Sequence, residues 1–194
     1  MQTIYVIRHG QTAYNAEYRL QGQADTPINE KGRGQAKRNG ELLAGLLTNP
    51  GDWDYIASPL GRTRETMEII RSGIGIDPAG YRTEDRLMEI NLGDWQGYTW
   101  DELREAHPEE IEARFQDMWN TVSPGPGGES YKMVAERTVP WFEGLEKNSV
   151  VVTHGGVIRC LQGHFHNLPE QETPALKVPQ DRVLKISGTT LEWL

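Results

Sequence analysis

Three observations predict an α/β fold here: a single domain of three layers, α/β/α, with a mostly parallel central sheet. Two apolar runs, Thr3-Ile4-Tyr5-Val6-Ile7 near the start and Ser149-Val150-Val151-Val152-Thr153 near the end, read as strands of the same design, each leading into a glycine turn. Strand and helix signals alternate through the first half, the rhythm of a parallel sheet with helices on its faces. The chain of 194 residues is long enough to bury a sizeable core, and no repeat, low-complexity segment or linker divides it, so residues 1–194 are read as one unit.

The elements follow in order. After the strand over residues 3–7 comes a polar loop over residues 10–27, then a helix over about residues 29–47. Asn29 can cap that helix, and Ala36, Leu43, Leu46 and Leu47 supply its apolar face. Gly32 and Gly34 weaken it intrinsically, so packing must hold it. Asn49-Pro50-Gly51 ends it. A second strand near residues 53–57 meets Ser58-Pro59 and a helix to about Arg71, stopped by Gly73. The middle is less regular. Arg86-Leu87-Met88-Glu89-Ile90 approaches a loop from Asn91 to Gly97, and Thr99 with Glu102 forms a capping-box pattern for a helix ending at Pro108. Another helix is expected over about residues 109–119. Ser123-Pro124-Gly125-Pro126-Gly127-Gly128 is a loop, either a site rim or plain surface, and Pro140 must kink or interrupt the helix after it. A strand over residues 149–153 and a helix over about residues 156–164 restore the alternation. Residues 183–186 and 190–193 flank Ser187-Gly188 as a C-terminal hairpin. Its open edge could pair two copies as a homodimer, or be covered by other parts of the chain.

Composition excludes several classes. A net charge of −8 argues against broad electrostatic binding to nucleic acid or to an anionic membrane. The one cysteine, Cys160, rules out an intrachain disulfide and reads as a buried helix residue rather than a reactive thiol. No apolar run approaches the ~20 residues that span a bilayer, and no signal peptide is visible, so the expected location is cytoplasmic.

Chemistry concentrates at the strand exits. Arg8-His9-Gly10 ends the first run, Ser58-Pro59-Leu60-Gly61-Arg62 follows the second strand, and His154-Gly155-Gly156 ends the late run. Ligands of open α/β sheets bind at the carboxyl ends of strands. Arginines grouped there point to an anionic substrate, most simply phosphate, which their planar fork binds bidentately.

The full set of motifs resembles one family. Arg8-His9-Gly10-Gln11-Thr12 with Asn15, then Arg19-Leu20-Gln21-Gly22, Asp25-Thr26-Pro27-Ile28, Gly32 with Gln35-Ala36, Ser58-Pro59-Leu60 with Arg62-Thr63, Glu89-Ile90 with Leu92-Gly93, Trp95 and Gly97, Gly128-Glu129-Ser130, and Thr153-His154-Gly155-Gly156 are similar, in order, to the histidine phosphatase superfamily, the phosphoglycerate mutase-like proteins. The resemblance implies that His9 is a nucleophile forming a phosphohistidine, with its other ring nitrogen held by a backbone carbonyl. It implies that Arg8, Arg62 and His154 surround the phosphoryl group, and that Glu89 is the general acid and then the base for water. A carboxyl that gives and then takes a proton predicts partial burial of Glu89. With arginines supplying the charge, neither a metal nor another cofactor is expected. Asn15, Gln21 and Gly22 match substrate-contacting positions, although Gln21 and Gly22 read equally as ordinary loop residues; Gly155 reads either as a binding position that lets the backbone approach phosphate or as a turn glycine.

Plainer readings hold for other residues. Ser58 is expected to cap the following helix rather than orient the pocket. His164 and His166 would point apart on a helix and do not read as a metal pair. His107 is an exposed helix terminus, the acidic stretch from Glu105 to Glu112 a solvated face, and Trp95, Trp100 and Trp119 core fillers before pocket walls. The phosphatase branch is favoured over mutases because the interval between the glutamate motif and the glycine-rich loop is short and acidic, whereas phosphoglycerate mutases carry a longer basic insertion. Gln96 departs from that branch, which often has glutamate there. The reading is a phosphatase of small phosphorylated metabolites, with a mutase or a non-catalytic phospholigand binder as alternatives.

Overall fold

Val6, Ile7, Val150, Val151 and Val152 are fully buried, the signature of central strands covered on both faces. The computed structural model describes residues 2–194 and places these runs side by side. Strand β1 (Thr3–Arg8) pairs in parallel with β4 (Ser149–Thr153), and β4 with β2 (Asp54–Ala57), which pairs in parallel with β3 (Arg82–Thr83). On the other side β5 (Val183–Ser187) runs antiparallel to β1 and forms the expected hairpin with β6 (Thr190–Trp193). The sheet order is β3-β2-β4-β1-β5-β6, mostly parallel as predicted. Register fixes the site: Arg8 stands beside Thr153, so His9 and His154 leave neighbouring strands at the same end.

Alternation along the strands divides the core into the two predicted interfaces. Tyr5, Ile7, Val150 and Val152 pack on one face with Leu43 of α2 (Glu30–Leu46) and Met67 and Ile70 of α3 (Gly61–Ile74). Ile4, Val6 and Val151 pack on the other face with Val134 and Phe142 of α6 (Tyr131–Glu143) and Ile158 and Leu161 of α7 (Gly155–Phe165). Asn29 caps α2 as expected, its side chain accepting from Gly32 N at 2.9 Å. Thr99 and Glu102 make the expected capping box of α4 (Trp100–Ala106), which leads into α5 (Pro108–Gln116).

Several expectations are corrected. Gly73 does not stop α3; it lies inside the helix because α2 and α3 touch there, and a Cβ on it would stand 3.3 Å from Gly40 Cα. The helix ends instead at Gly75, whose φ of +87° is the left-handed cap. Pro140 does not interrupt α6. It sits in the last turns, where it leaves the carbonyl of Glu136, an exposed residue, without its intrahelical amide donor. Leu46 is exposed rather than part of the α2 face, α5 stops before Trp119, and the early loop contains a short helix, α1 (Ala13–Ala16). No helix among the described residues is long and apolar enough to cross a membrane.

Candidate active site

The turn after β1 is pinned before any side chain acts. His9 N donates to Thr153 O at 3.0 Å, and Gly10 N donates to Thr66 Oγ1 at 3.1 Å. Gly10 must be glycine because a Cβ there would lie 2.4 Å from Gly32 O, where the turn crosses the start of α2. This close approach is what Gly32 provides in exchange for its poor helix propensity.

The His9 ring is buried, and Nδ1 lies 2.8 Å from Gly10 O, a carbonyl that can only accept. The proton therefore sits on Nδ1, leaving the Nε2 lone pair free. His154 lies against it, ring centroids 5.2 Å apart, with Nε2 2.8 Å from Ser58 Oγ and Nδ1 buried without a partner. Ser58 thus orients His154 and does not cap α3, whose N-cap is Leu60 with no side-chain hydrogen bond. Burial, and after it the charge of Arg62, hold both imidazoles well below their ordinary 6.5, so both are neutral at pH 7.

Two arginines flank the histidines with unfilled donors. Arg62, fully buried in the first turn of α3, donates to Ala24 O at 2.8 Å and Gly22 O at 2.6 Å, and approaches Asp25 at 3.6 Å. Arg8 donates to Val178 O at 3.0 Å. The Nε of each is buried with no partner. Burial lowers both to about 10, so both stay charged at neutral pH.

Glu89 faces them, half-buried as expected, with Oε1 accepting from Ile90 N and from Gly156 N, each at 3.0 Å. Gly156 is glycine for this reason: a Cβ there would lie 2.4 Å from Oε1. The segment carrying Glu89 has no strand or α-helix to hold it. Arg137 of α6 holds it instead, donating to Arg86 O at 2.6 Å, Met88 O at 2.8 Å and Glu89 O at 3.2 Å. The same guanidinium is clamped by both Glu129 oxygens, at 2.8 and 3.0 Å, and Glu129 also accepts from Asn91 N at 2.9 Å.

These groups open onto one pocket of about 270 Å³. Arg8, His9, Asn15, Gln21, Gly22, Arg62 and Glu89 line it, as the motifs suggest, and so do Trp100, Arg114, Met118, Tyr131 and Arg159. His154 packs against the His9 ring, and Gly156 is among the lining residues whereas His154 and Gly155 are not. Asn15 is partly spoken for: its side-chain oxygen accepts from Thr12 N at 3.2 Å and from Gln180 Nε2 at 3.0 Å. Gln21 is tied to Thr12 at 3.1 Å, and Gly22 takes φ +51° above the Gln96 side chain, so both also build the loop. Trp95 and Trp119 are core residues, whereas Trp100 is a pocket wall.

Sequence reasoning missed Arg137, Arg114, Arg159, Tyr131 and Gln180. Of these, Arg114 carried a signal, a lone arginine among Glu109, Glu110, Glu112 and Asp117 whose spacing puts it beside Ile111 on the inner face of α5. Cys160 is buried and its thiol is pushed up to about 12 by that burial, as expected of an inert position. His164 pairs with Glu143 at 2.9 Å. Among the described residues no cluster of three or more His, Cys, Asp or Glu side chains is arranged to hold a metal ion.

A neutral imidazole with a free lone pair, unfilled guanidinium donors beside it and a carboxyl across the pocket, all at the carboxyl ends of a parallel sheet, define a phosphoryl-transferring α/β enzyme. The comparisons place it within one family. The profile of the histidine phosphatase superfamily (branch 1) matches residues 4–193, and the chain belongs to that superfamily. It is 32% identical over 201 residues to a probable phosphoglycerate mutase, GpmB, of Salmonella paratyphi C, covering 100% of this chain and 88% of that protein. Its structure is similar to that of YhfR of Bacillus stearothermophilus, with TM-score 0.81, 31% identity, and coverage of 100% and 95% of the two chains. The mycobacterial glucosyl-3-phosphoglycerate phosphatase is similar with TM-score 0.78, 28% identity, and coverage of 100% and 96%.

Proposed function

We propose that this protein is a metal-independent phosphatase of small phosphorylated metabolites, working through a phosphohistidine on His9. The observation that carries the reading is the His9 ring, held at Nδ1 by Gly10 O with Nε2 free beside the unpartnered Nε groups of Arg8 and Arg62. Nε2 attacks phosphorus, the ester P–O bond breaks, and Glu89 gives its proton to the departing alkoxide oxygen. Glu89, now a carboxylate, takes a proton from water, whose oxygen attacks the phosphohistidine and releases phosphate and neutral His9. Arg8, Arg62 and His154 stabilise the equatorial oxygens; with Ser58 donating to His154 Nε2, Nδ1 carries the proton and has no other acceptor. Losing one such preorganised donor costs on the order of 10²–10³ in rate. The guanidinium charges do what a metal ion would do. A pocket of about 270 Å³ suits a compact metabolite rather than a nucleic acid or a membrane lipid.

Intramolecular transfer is the second reading, favoured by the name of the relative that is 32% identical. Phosphate release from p-nitrophenyl phosphate and a panel of metabolite phosphates, with EDTA present, separates the two. Turnover that survives EDTA and disappears in His9→Ala supports the hydrolase. A wild-type protein that labels on His9 yet releases no phosphate supports the mutase, and one that never labels is a binder.

A further inference from the structure

Gln180 belongs to none of the motifs that point to the site. It is half-buried in the stretch without strand or α-helix between α7 and β5, where Pro179 disfavours helical backbone at Val178. The stretch is fixed from two sides. Val178 O accepts from Arg8 Nη1 at 3.0 Å, and Gln180 O accepts at 3.2 Å from Nδ2 of Asn39, a buried residue of α2. So held, the Gln180 side chain places Nε2 3.0 Å from His9 O and 3.0 Å from Asn15 Oδ1, across 171 and 165 residues of sequence. It does not itself line the pocket.

The chemistry of the partners decides which amide atom is which. Thr12 N can only donate, so the Asn15 atom facing it at 3.2 Å is the oxygen. His9 O can only accept, so the Gln180 atom facing it is the nitrogen. Both hydrogens of Gln180 Nε2 are then used, one on His9 O and one on Asn15 Oδ1. Two N–H groups on Asn15 Oδ1 set the orientation of that amide, and Nδ2 is left as the polar group this side chain offers to the pocket it lines. A donor there suits a phosphoryl oxygen, whereas the same amide turned end for end would present an acceptor to it. The contact with His9 serves the same site. His9 O and Gly10 N are the two ends of one peptide unit, held by Gln180 Nε2 and by Thr66 Oγ1. That unit leads into the Gly10 carbonyl that keeps the proton on His9 Nδ1.

We propose that Gln180 is a positioning residue for phosphoryl binding: it locks the Asn15 amide so that Nδ2 rather than Oδ1 faces the phosphoryl oxygens, and it holds the peptide unit that follows the nucleophile. The proposal rests on the placing of the phosphoryl group at His9 given above. Glutamate is the informative replacement. It matches glutamine in size, but its carboxylate opposite His9 O and Asn15 Oδ1 sets acceptors against acceptors. Asn15 can answer it only by turning its amide, which puts Oδ1 towards the pocket and takes the oxygen away from Thr12 N.

The test measures kcat and KM for p-nitrophenyl phosphate, and by calorimetry the affinity for inorganic phosphate. The proteins are wild type, Gln180→Met, Gln180→Glu, Asn15→Ala and the two double variants. Gln180→Met is expected to lower kcat/KM by about 10- to 10²-fold, as for a slightly misplaced site group. Gln180→Glu is expected to lose at least about a further tenfold, the effect of one charge-assisted hydrogen bond reversed in sign. That further loss lies in KM, because a turned amide repels the phosphoryl group before it reacts, and the affinity for inorganic phosphate falls with it. With Asn15→Ala in place the two Gln180 variants differ by less than about threefold, since no amide is left to turn. Turnover in which Gln180→Glu matches Gln180→Met, or a difference that survives Asn15→Ala, overturns the positioning role and leaves the phosphatase reading intact. A lowered melting temperature with unchanged kcat/KM also overturns it and makes Gln180 a structural residue only. The expected order in phosphate affinity, without turnover by wild-type protein, upholds the positioning and overturns the phosphatase.

Discussion

The two ends of the pocket are built in different ways. The phosphoryl end is made by regular structure: His9 and His154 leave adjacent parallel strands, and Arg62 starts the helix after a third. His9 Nδ1 is held by the carbonyl of the next residue, Gly10 O, while Arg8, Arg62 and His154 are fixed by partners distant in sequence, Val178 O, Gly22 O with Ala24 O, and Ser58 Oγ. The leaving-group end is made from residues 84–130 and from α7, with short helices and turns whose positions depend on long-range polar clamps. Arg137 reaches back 51 residues to Arg86 O, and Glu129 reaches 38 residues to Asn91 N. At a strand exit the sheet already places the backbone, whereas an irregular segment needs charged side chains to define where its backbone lies.

Substrates with different leaving groups put this contrast to the test. An acid matters most when the leaving alkoxide is poor, so Glu89→Gln is expected to lower kcat/KM for glycerol 3-phosphate by about 10²–10⁴ and to cost far less for p-nitrophenyl phosphate. Equal losses for both esters would remove Glu89 from the acid role and with it the division of the pocket.

Arg137→Met is the next largest effect, on the order of 10–10², and follows the same leaving-group pattern because it displaces Glu89 without touching substrate. Arg137→Lys recovers little, since one ammonium cannot serve Arg86 O, Met88 O and both oxygens of Glu129 together. A loss that is identical for the two esters, or a lowered melting temperature with unchanged kinetics, would make the clamp a structural feature only.

The same contrast explains what was legible in the sequence. The sheet, the capped helices and the quartet of Arg8, His9, Arg62 and His154 could be read because each is local: an apolar run, a cap, a motif at a strand exit. Glu89 was found by motif, yet the reason it stays in place was not, because Arg137 looks like any helix arginine until α6 packs beside the segment. Ser58 was misread for a similar reason. Serine before a helix is a good cap by local rules, and only the pairing of β2 with β4 brings it to His154. Gly73 was misread because a glycine that ends a helix and one that lets two helices touch look alike in one dimension. Gln96 marks a departure from the family pattern, but its oxygen accepts from Gln23 N at 2.6 Å and Ala24 N at 3.2 Å, a loop-holding role that a glutamate oxygen would serve as well.

Ser58→Ala probes the phosphoryl end. Removing the hydroxyl frees the His154 ring and loses one oriented donor, for a fall in kcat of about tenfold. This fall is expected to be the same for glycerol 3-phosphate and p-nitrophenyl phosphate, opposite to the pattern of Glu89→Gln and Arg137→Met. A leaving-group-dependent fall would show that the two ends are coupled through His154.

The smallest effect concerns pH, and it also belongs to one end. His9 and His154 are buried at the phosphoryl end and held well below 6.5, while His107, His164 and His166 are not buried. Because the folded values lie below the unfolded ones, the unfolded chain takes up more protons as pH falls. The folded state therefore keeps its full stability above pH 6.5 and loses about 1 kcal/mol per histidine over the first pH unit below it. Urea titrations at pH 7.5, 6.5 and 5.5 measure the slope, and His9→Asn should remove about half of the histidine contribution. Activity, in contrast, should not fall with a midpoint at 6.5, since His9 keeps its lone pair well below that pH. A stability profile flat down to pH 5.5 would mean that the buried imidazoles take up protons in the folded state as readily as in the unfolded one, so that Nε2 of His9 would lose its lone pair as pH falls through 6.5.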